Sequence, residues 1–223
     1  MHVLTEIGEV GITLEGRTYR LRPSFFAMTQ IGTPAEIVEA FVMLNGAPAL
    51  SGLPWVDTPR LKRWRRDQFR TALTVCYACA APDDDLGPLL GGISERMGYQ
   101  PGRVPLDSIV ALARSLLRHG VTGDIPDDAP KRGKGEYSAE FKAREYVASA
   151  MAHLGASESD AWAMTMTSFI AAMTAKFPPT DAKGKPLTQS APMTEQRAAE
   201  TMAWLDRVNA ARRRGAQPKV DRQ

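Results

Sequence analysis

The chain has 223 residues, of which 43% are hydrophobic and 7% aromatic, enough for one large domain or two small ones with a folded core. A net charge of +3, from 28 basic and 25 acidic residues, is too mild to mark a nucleic-acid protein by composition. Cys76 and Cys79, the two cysteines, exclude a disulfide framework and point to a reducing compartment. No run approaches the ~20 apolar residues of a membrane span, and Met1 to Gly11 lacks a basic start with an apolar block, so a soluble cytoplasmic protein is expected.

Val10 to Arg22 alternates, with Val10, Ile12 and Leu14 able to pair with Tyr19 and Leu21 across Glu15-Gly16, which predicts a β-hairpin. Pro23-Ser24-Phe25-Phe26 opens a short capped helix ending near Gly32. Thr33-Pro34-Ala35-Glu36 combines a cap, a proline at the first helical position and a glutamate three residues after the threonine. Ile37, Val38, Phe41, Val42 and Leu44 form the buried side of that helix, and Phe25, Phe26 and Phe41 are expected in the core. Thr58-Pro59 opens the next helix, reaching Ala80, with Phe69, Leu73, Cys76 and Ala80 as its apolar stripe. Residues 82–102 read as irregular, with a turn of helix near Ile93-Ser94-Glu95. Asp107 caps a helix carrying Ile109, Val110, Ala113, Leu116 and Leu117 and closing at His119-Gly120.

The turn-rich, charged residues 121–136 predict a linker. From Tyr137 to Phe177 two helices follow, joined at His153-Leu154-Gly155, where glycine suits the left-handed closing position. Ser157 and Asp160 lie at capping spacing, and Trp162, Met166, Phe169 and Met173 step by four, three and four along one apolar stripe. Pro178-Pro179 stops this element, 179–193 reads as a second linker, 194–214 as a terminal helix and 215–223 as a disordered tail. The expected architecture is mainly α: a unit over 1–120 with a small N-terminal β-hairpin and a helical domain, a helical hairpin over 137–178, and a C-terminal helix. Such a hairpin has two apolar faces and cannot bury both alone, so Trp162, Met166, Phe169 and Met173 are the candidate surface for an apolar client.

The remaining chemistry is weighed against plainer readings. Cys76-Tyr77-Ala78-Cys79 matches C-x-x-C, but a zinc site needs about four ligands, and a redox pair normally opens a helix rather than closing one. Core filling fits better. Asp83-Asp84-Asp85 reads as a solvated turn, and His2, His119 and His153 are scattered without ligand spacing. No nucleophile, phosphate-loop or zinc-protease motif occurs, so no catalytic residue, metal or cofactor is expected. Arg60, Lys62, Arg63, Arg65, Arg66 and Arg70 cluster on one helix with Trp64 and Phe69 between them. They are candidates for docking an acidic partner or nucleic acid, or form a solvated face whose stems cover apolar surface.

Two stretches carry a family likeness. Gly8 to Phe41, through Leu14, Gly16, Arg17, Leu21, Arg22, Pro23, Ser24 and Phe25, resembles the opening of tail assembly chaperones of long-tailed phages and gene transfer agents. Ala161 to Pro178 is similar to a later segment of those proteins. The resemblance implies a non-enzymatic protein of the host cytoplasm. It would bind the apolar tape measure protein, help recruit tail tube subunits and be absent from the finished particle. Self-association is a further expectation, and a membrane partner is not. The alternatives are a tail or head-completion component that stays in the particle, and a nucleic-acid binder using residues 60–70.

Overall fold

A computed structural model describes residues 3–94, 98–124, 138–178 and 202. Strands β1 (Val10–Leu14) and β2 (Arg17–Leu21) pair antiparallel with Val10 opposite Leu21 and Ile12 opposite Tyr19, as the alternation predicts. Glu15 and Gly16 both take positive φ, 51° and 81°, the primed turn geometry whose twist matches a hairpin. The hairpin is anchored by Glu9, which is 1% exposed. Its carboxylate accepts from the Leu4 N–H and from Arg20 Nε, both at 3.0 Å, and Arg20 Nη2 and Arg22 Nε also face it.

The next two helices follow their local signals. In α1 (Phe25–Thr29) the Ser24 hydroxyl accepts from the Ala27 N–H. In α2 (Pro34–Asn45) Thr33 and Glu36 form a full capping box behind Pro34. Ile37, Ala40 and Leu44 are the buried side of α2; Phe41 packs against the core from a half-buried position. Val42 at 61% and Phe26 at 56% exposure do not belong to the core, contrary to the sequence expectation. Both lie on the outer side of their helices, which the apolar count alone does not distinguish.

The long helix α3 (Pro54–Ala78) starts one turn earlier than Thr58-Pro59 suggests. The Asp57 carboxylate gathers the Ser51 N–H (2.9 Å), Ser51 hydroxyl (2.8 Å) and Gly52 N–H (2.8 Å), folding the incoming loop onto the first turn. Pro54 occupies the first helical position, and Pro59 lies inside the helix. Gln68 reaches from α3 to the Met43 and Leu44 carbonyls, and Arg114 Nε also donates to Leu44. Two other elements thus satisfy the free C-terminal carbonyls of α2.

Residues 82–94 and 98–102 are more ordered than their composition implies. The short α4 (Gly87–Leu90) buries Leu89 and Leu90, and strands β3 (Gly91–Ser94) and β4 (Gly98–Pro101) pair as a second antiparallel hairpin. Ile93 and Ser94 are therefore strand residues, not a helical turn. No apolar alternation announces these strands, because glycine fills Gly91, Gly92 and Gly98. A Cβ on Gly91 would stand 2.1 Å from the Gln100 carbonyl, so the approach itself requires glycine. Two tyrosine hydroxyls hold the hairpin in place: Tyr77 of α3 donates to the Gly91 carbonyl, and Tyr99 of β4 donates to the Leu90 carbonyl at the end of α4, each at 2.8 Å.

Helix α5 (Leu106–Leu117) buries Ile109, Ala113, Leu116 and Leu117; Pro105, not Asp107, occupies its N-cap, without a side-chain bond. A π-helical turn, Arg118–Thr122, extends it past His119-Gly120. Helix α6 (Ala143–Ser149) continues into a second π turn, Ala150–Leu154, closed by left-handed Gly155. The expected long second helix is two: α7 (Glu158–Ala163) and α8 (Met166–Lys176). Met164 and Thr165 are extended between them, and Thr165 starts α8 with a capping box to Ser168. The physical reason is tertiary. Phe25 N–H donates to the Met164 carbonyl at 2.8 Å, and Ser24 bridges Thr165.

The chain divides into two compact units, Met1–Phe177 and Pro178–Gln223. The helical pair is not a separate domain: its described residues 138–177 share one compact unit with the preceding helices, α6 and α7 packing on α1 and α8 on the first π turn. Of the second unit only Pro178 and a helical, exposed Met202 are described, so the 179–193 linker, the 194–214 helix and the 215–223 tail otherwise lie outside the described residues. The same holds for 125–136 of the expected 121–136 linker and for Tyr137 at the start of the expected helical hairpin.

Burial alone would raise the Glu9 pKa, but hydrogen bonds from Arg20 and Leu4 and the charges of Arg20 and Arg22 outweigh it and hold it below the usual value. The carboxylate therefore stabilises the fold above the unfolded glutamate pKa of about 4.3, and that contribution is lost as pH falls through the lower folded value. Glu9→Gln should cost about 2 kcal/mol at pH 7, less than a fully buried pair because Arg20 keeps some solvent. Urea melts of both proteins should converge only once the pH lies below the lowered folded pKa of Glu9.

Candidate functional site

The apolar stripe is mostly inside the protein. Met166 is 3% and Phe169 8% exposed, whereas Trp162 and Met173 are half-buried against the core. Met166 and Phe169 thus do not form a free client surface, which corrects the expectation drawn from their spacing. Phe169 meets Phe25 edge-on at 5.9 Å and Tyr146 at 5.7 Å. Tyr146 in turn stacks on Phe25 at 5.7 Å and on Phe141 at 5.4 Å. The second apolar face of the helical pair is covered by α1 of the same chain.

Closing that face leaves a groove beside it. The Phe141 N–H donates to the Pro34 carbonyl at 2.9 Å, tying the approach to α6 onto the start of α2. Between these segments and α7 runs an open cleft of about 630 Å³, within the ~300–1,000 Å³ range of binding clefts. Pro34, Ile37, Phe141, Ala148 and Trp162 supply its apolar lining, and exposed Lys142, Arg144 and Glu145 also border it. Trp162 is the one residue of the expected client surface in this lining. A second cleft of about 660 Å³ includes Val38, Val42, Met43 and Trp64. Sequence periodicity could not reveal either cleft, because each is walled by elements distant along the chain. The exposed Val42 and half-buried Trp162 were the nearest signals.

The six cations of α3 are all exposed. Arg63 and Arg66 lie 3.8 and 3.6 Å from Asp67. The two aromatics expected to serve that face are turned from it. Phe69 packs edge-on against Tyr99 at 4.6 Å, and Trp64 lines the second cleft.

Cys76 and Cys79 are buried, and burial pushes the Cys76 thiol up to about 12 and Cys79 well above its ordinary value. Both are core side chains, not poised thiolates. Asp84 receives Arg17 at 3.0 Å and Asp85 receives the Gly87 N–H at 2.9 Å, consistent with a turn. His119 Nδ1 lies 2.8 Å from the Thr167 hydroxyl, which also accepts from the Asp124 N–H at 3.0 Å. Burial lowers the His119 pKa, opposed by Asp124 and assisted by Arg118. This group ties the first π turn to α8. Among the described residues no three His, Cys, Asp or Glu side chains converge on a metal position, and no helix is long and apolar enough to cross a membrane.

The sequence matches the family described as "Family of unknown function (DUF6246)" over residues 21–196, most of the chain. No curated protein and no solved structure matches it.

The burial difference along the stripe has a direct consequence. Phe169→Ala should destabilise by about 3 kcal/mol, because it opens the aromatic cluster. Trp162→Ala should cost less than half of that in the same denaturant titration.

Proposed function

We propose that this chain, which belongs to the DUF6246 family, is a non-enzymatic tail assembly chaperone of a long-tailed phage or gene transfer agent. In this reading it holds apolar helical stretches of a tape measure protein in the host cytoplasm and helps recruit tail tube subunits. The observation that carries the reading is the open apolar cleft between α2, α6 and Trp162. It is lined by small and large apolar side chains and bordered by charges of both signs, the form in which an amphipathic helix inserts spaced anchors. Modest contacts repeated along a long client suit displacement when the tube forms.

A second observation supports it. The two stretches that resemble such chaperones, Gly8 to Phe41 and Ala161 to Pro178, are far apart in sequence yet joined in space. The Phe25 N–H donates to Met164, Ser24 bridges Thr165, and Phe25 meets Phe169. One packing unit would then account for both likenesses at once. The client surface assigned here is the cleft with half-buried Trp162 and exposed Ala148 at its walls and buried Ile37 and Phe141 beneath; Met166 and Phe169 are not in its lining.

Pull-down and calorimetry with the tape measure protein of the same genome test this. Ala148→Arg places a long cation in the cleft from an exposed position, and Trp162→Ala removes one wall. With folding verified by circular dichroism, each should weaken client binding at least about tenfold, ~1.4 kcal/mol. Unchanged affinity in both rejects the cleft. Finding the protein in purified particles at stoichiometric amounts would favour a retained structural component instead.

A further inference from the structure

The exposed side of α3 is arranged at a cost to the helix itself. A 3.6-residue period places Trp55, Lys62, Arg66, Arg70 and Tyr77 on one face, with Arg63 beside them. Lys62–Arg66 and Arg66–Arg70 are like-charge neighbours at four-residue spacing, which repel on a helix surface. Asp67 is shared between Arg63 and Arg66, and among the described residues Lys62, Arg65 and Arg70 have no ion-pair partner. Asp57, near Arg60, is committed to the loop: the Ser51 N–H and hydroxyl, the Gly52 N–H and the Arg60 charge together hold its pKa below the usual value. An anion is the missing complement.

The two ends of this face are apolar. At the N-terminal end Trp55 is 73% exposed, beside Leu50 at 59% and Leu53 at 44%. The Asp57 bonds to Ser51 and Gly52 hold this tip in place, so its presentation is not a frayed terminus. At the far end, roughly 33 Å along the helix at 1.5 Å per residue, a cleft of about 600 Å³ opens among Gln30, Arg70, Leu73, Thr74 and Tyr77.

We propose that this face of α3 docks an acidic, amphipathic α-helix of a protein partner. Carboxylates at four-residue spacing lie over Lys62, Arg66 and Arg70, one apolar anchor packs on Leu50, Leu53 and Trp55, and a second enters the cleft beside Tyr77. The arginine forks bind carboxylates with two parallel hydrogen bonds. Nucleic acid fits less well: the exposed rings of this face, Trp55 and Tyr77, stand at its two ends, and the aromatics between them, Trp64 and Phe69, are turned away from the cations, so no ring lies among the charges to stack successive bases. A bilayer is flat and has no use for the recess at Tyr77. The surface is separate from the cleft of the chaperone reading and does not depend on it.

The test uses the full chain and four fluorescent or labelled probes. The first is a 24-residue helical peptide with glutamates at three successive four-residue positions and a leucine or phenylalanine near each end. The second is the same peptide with glutamine for glutamate. The others are a 20-nucleotide oligo-dT and phosphatidylserine–phosphatidylcholine vesicles. Anisotropy for the first three and co-sedimentation for the vesicles report affinity. The expected result is saturable binding of the glutamate peptide, at least tenfold weaker for the glutamine peptide. Lys62→Glu with Arg66→Glu, and separately Trp55→Ala, should each weaken it tenfold or more. The proposal is overturned if the glutamate peptide fails to bind, if the glutamine peptide binds equally, if the variants have no effect, or if oligo-dT or vesicles bind more tightly than the peptide.

Discussion

The backbone pairing of Phe25 with Met164, and the aromatic cluster built over it, hold the organisation of the first unit. An unsatisfied N–H at the start of α1 finds its acceptor 139 residues later in the chain. Accepting that bond requires Met164 and Thr165 to leave helical geometry, which ends α7 and starts α8 in a new direction. The new direction brings Phe169 onto Phe25 and Tyr146, and Tyr146 onto Phe141. Two orphan backbone groups, two hydroxyl caps and four rings are thus resolved in one place. A helix running unbroken from Ser157 to Phe177 would satisfy its own bonds but leave the Phe25 N–H and the α1 face uncovered.

The groove follows from the same contact. Once α6 is drawn to α1 through Tyr146, its leading segment reaches the start of α2, where Phe141 bonds the Pro34 carbonyl. Small residues such as Ala148 then face Ile37 and Trp162 across open space. The apolar face most visible in the sequence is spent on holding the fold together. The open apolar cleft is walled by pieces of several elements.

Charge is handled in two opposite ways. Around Glu9, two arginines are folded over one buried carboxylate, so their charge is neutralised within the hairpin. On α3 the arginines point outward in rows with one nearby aspartate between them. Arg114 makes a third use, bonding the C-terminal carbonyl of α2, where the helix dipole favours a cation. Three arginine environments in one fold thus differ in burial and in partner. The mild net charge conceals this, because it averages over them.

Much of the first unit was legible along the chain. The Glu15-Gly16 turn, the Ser24 cap, the Thr33–Glu36 capping box and the apolar side of α5 are decided by residues within four positions of one another. Local bonds and steric limits suffice for them. The mainly helical class follows from the same signals repeated. What only the tertiary structure decided is where the helix breaks at Met164, why Gly91 and Gly92 become a strand, and what covers the Trp162–Met173 stripe. Periodicity reports that a face is apolar, because that is a property of one helix. Whether the face closes on the same chain or stays open depends on backbone and side-chain partners more than a hundred residues away, and no local pattern carries that distance.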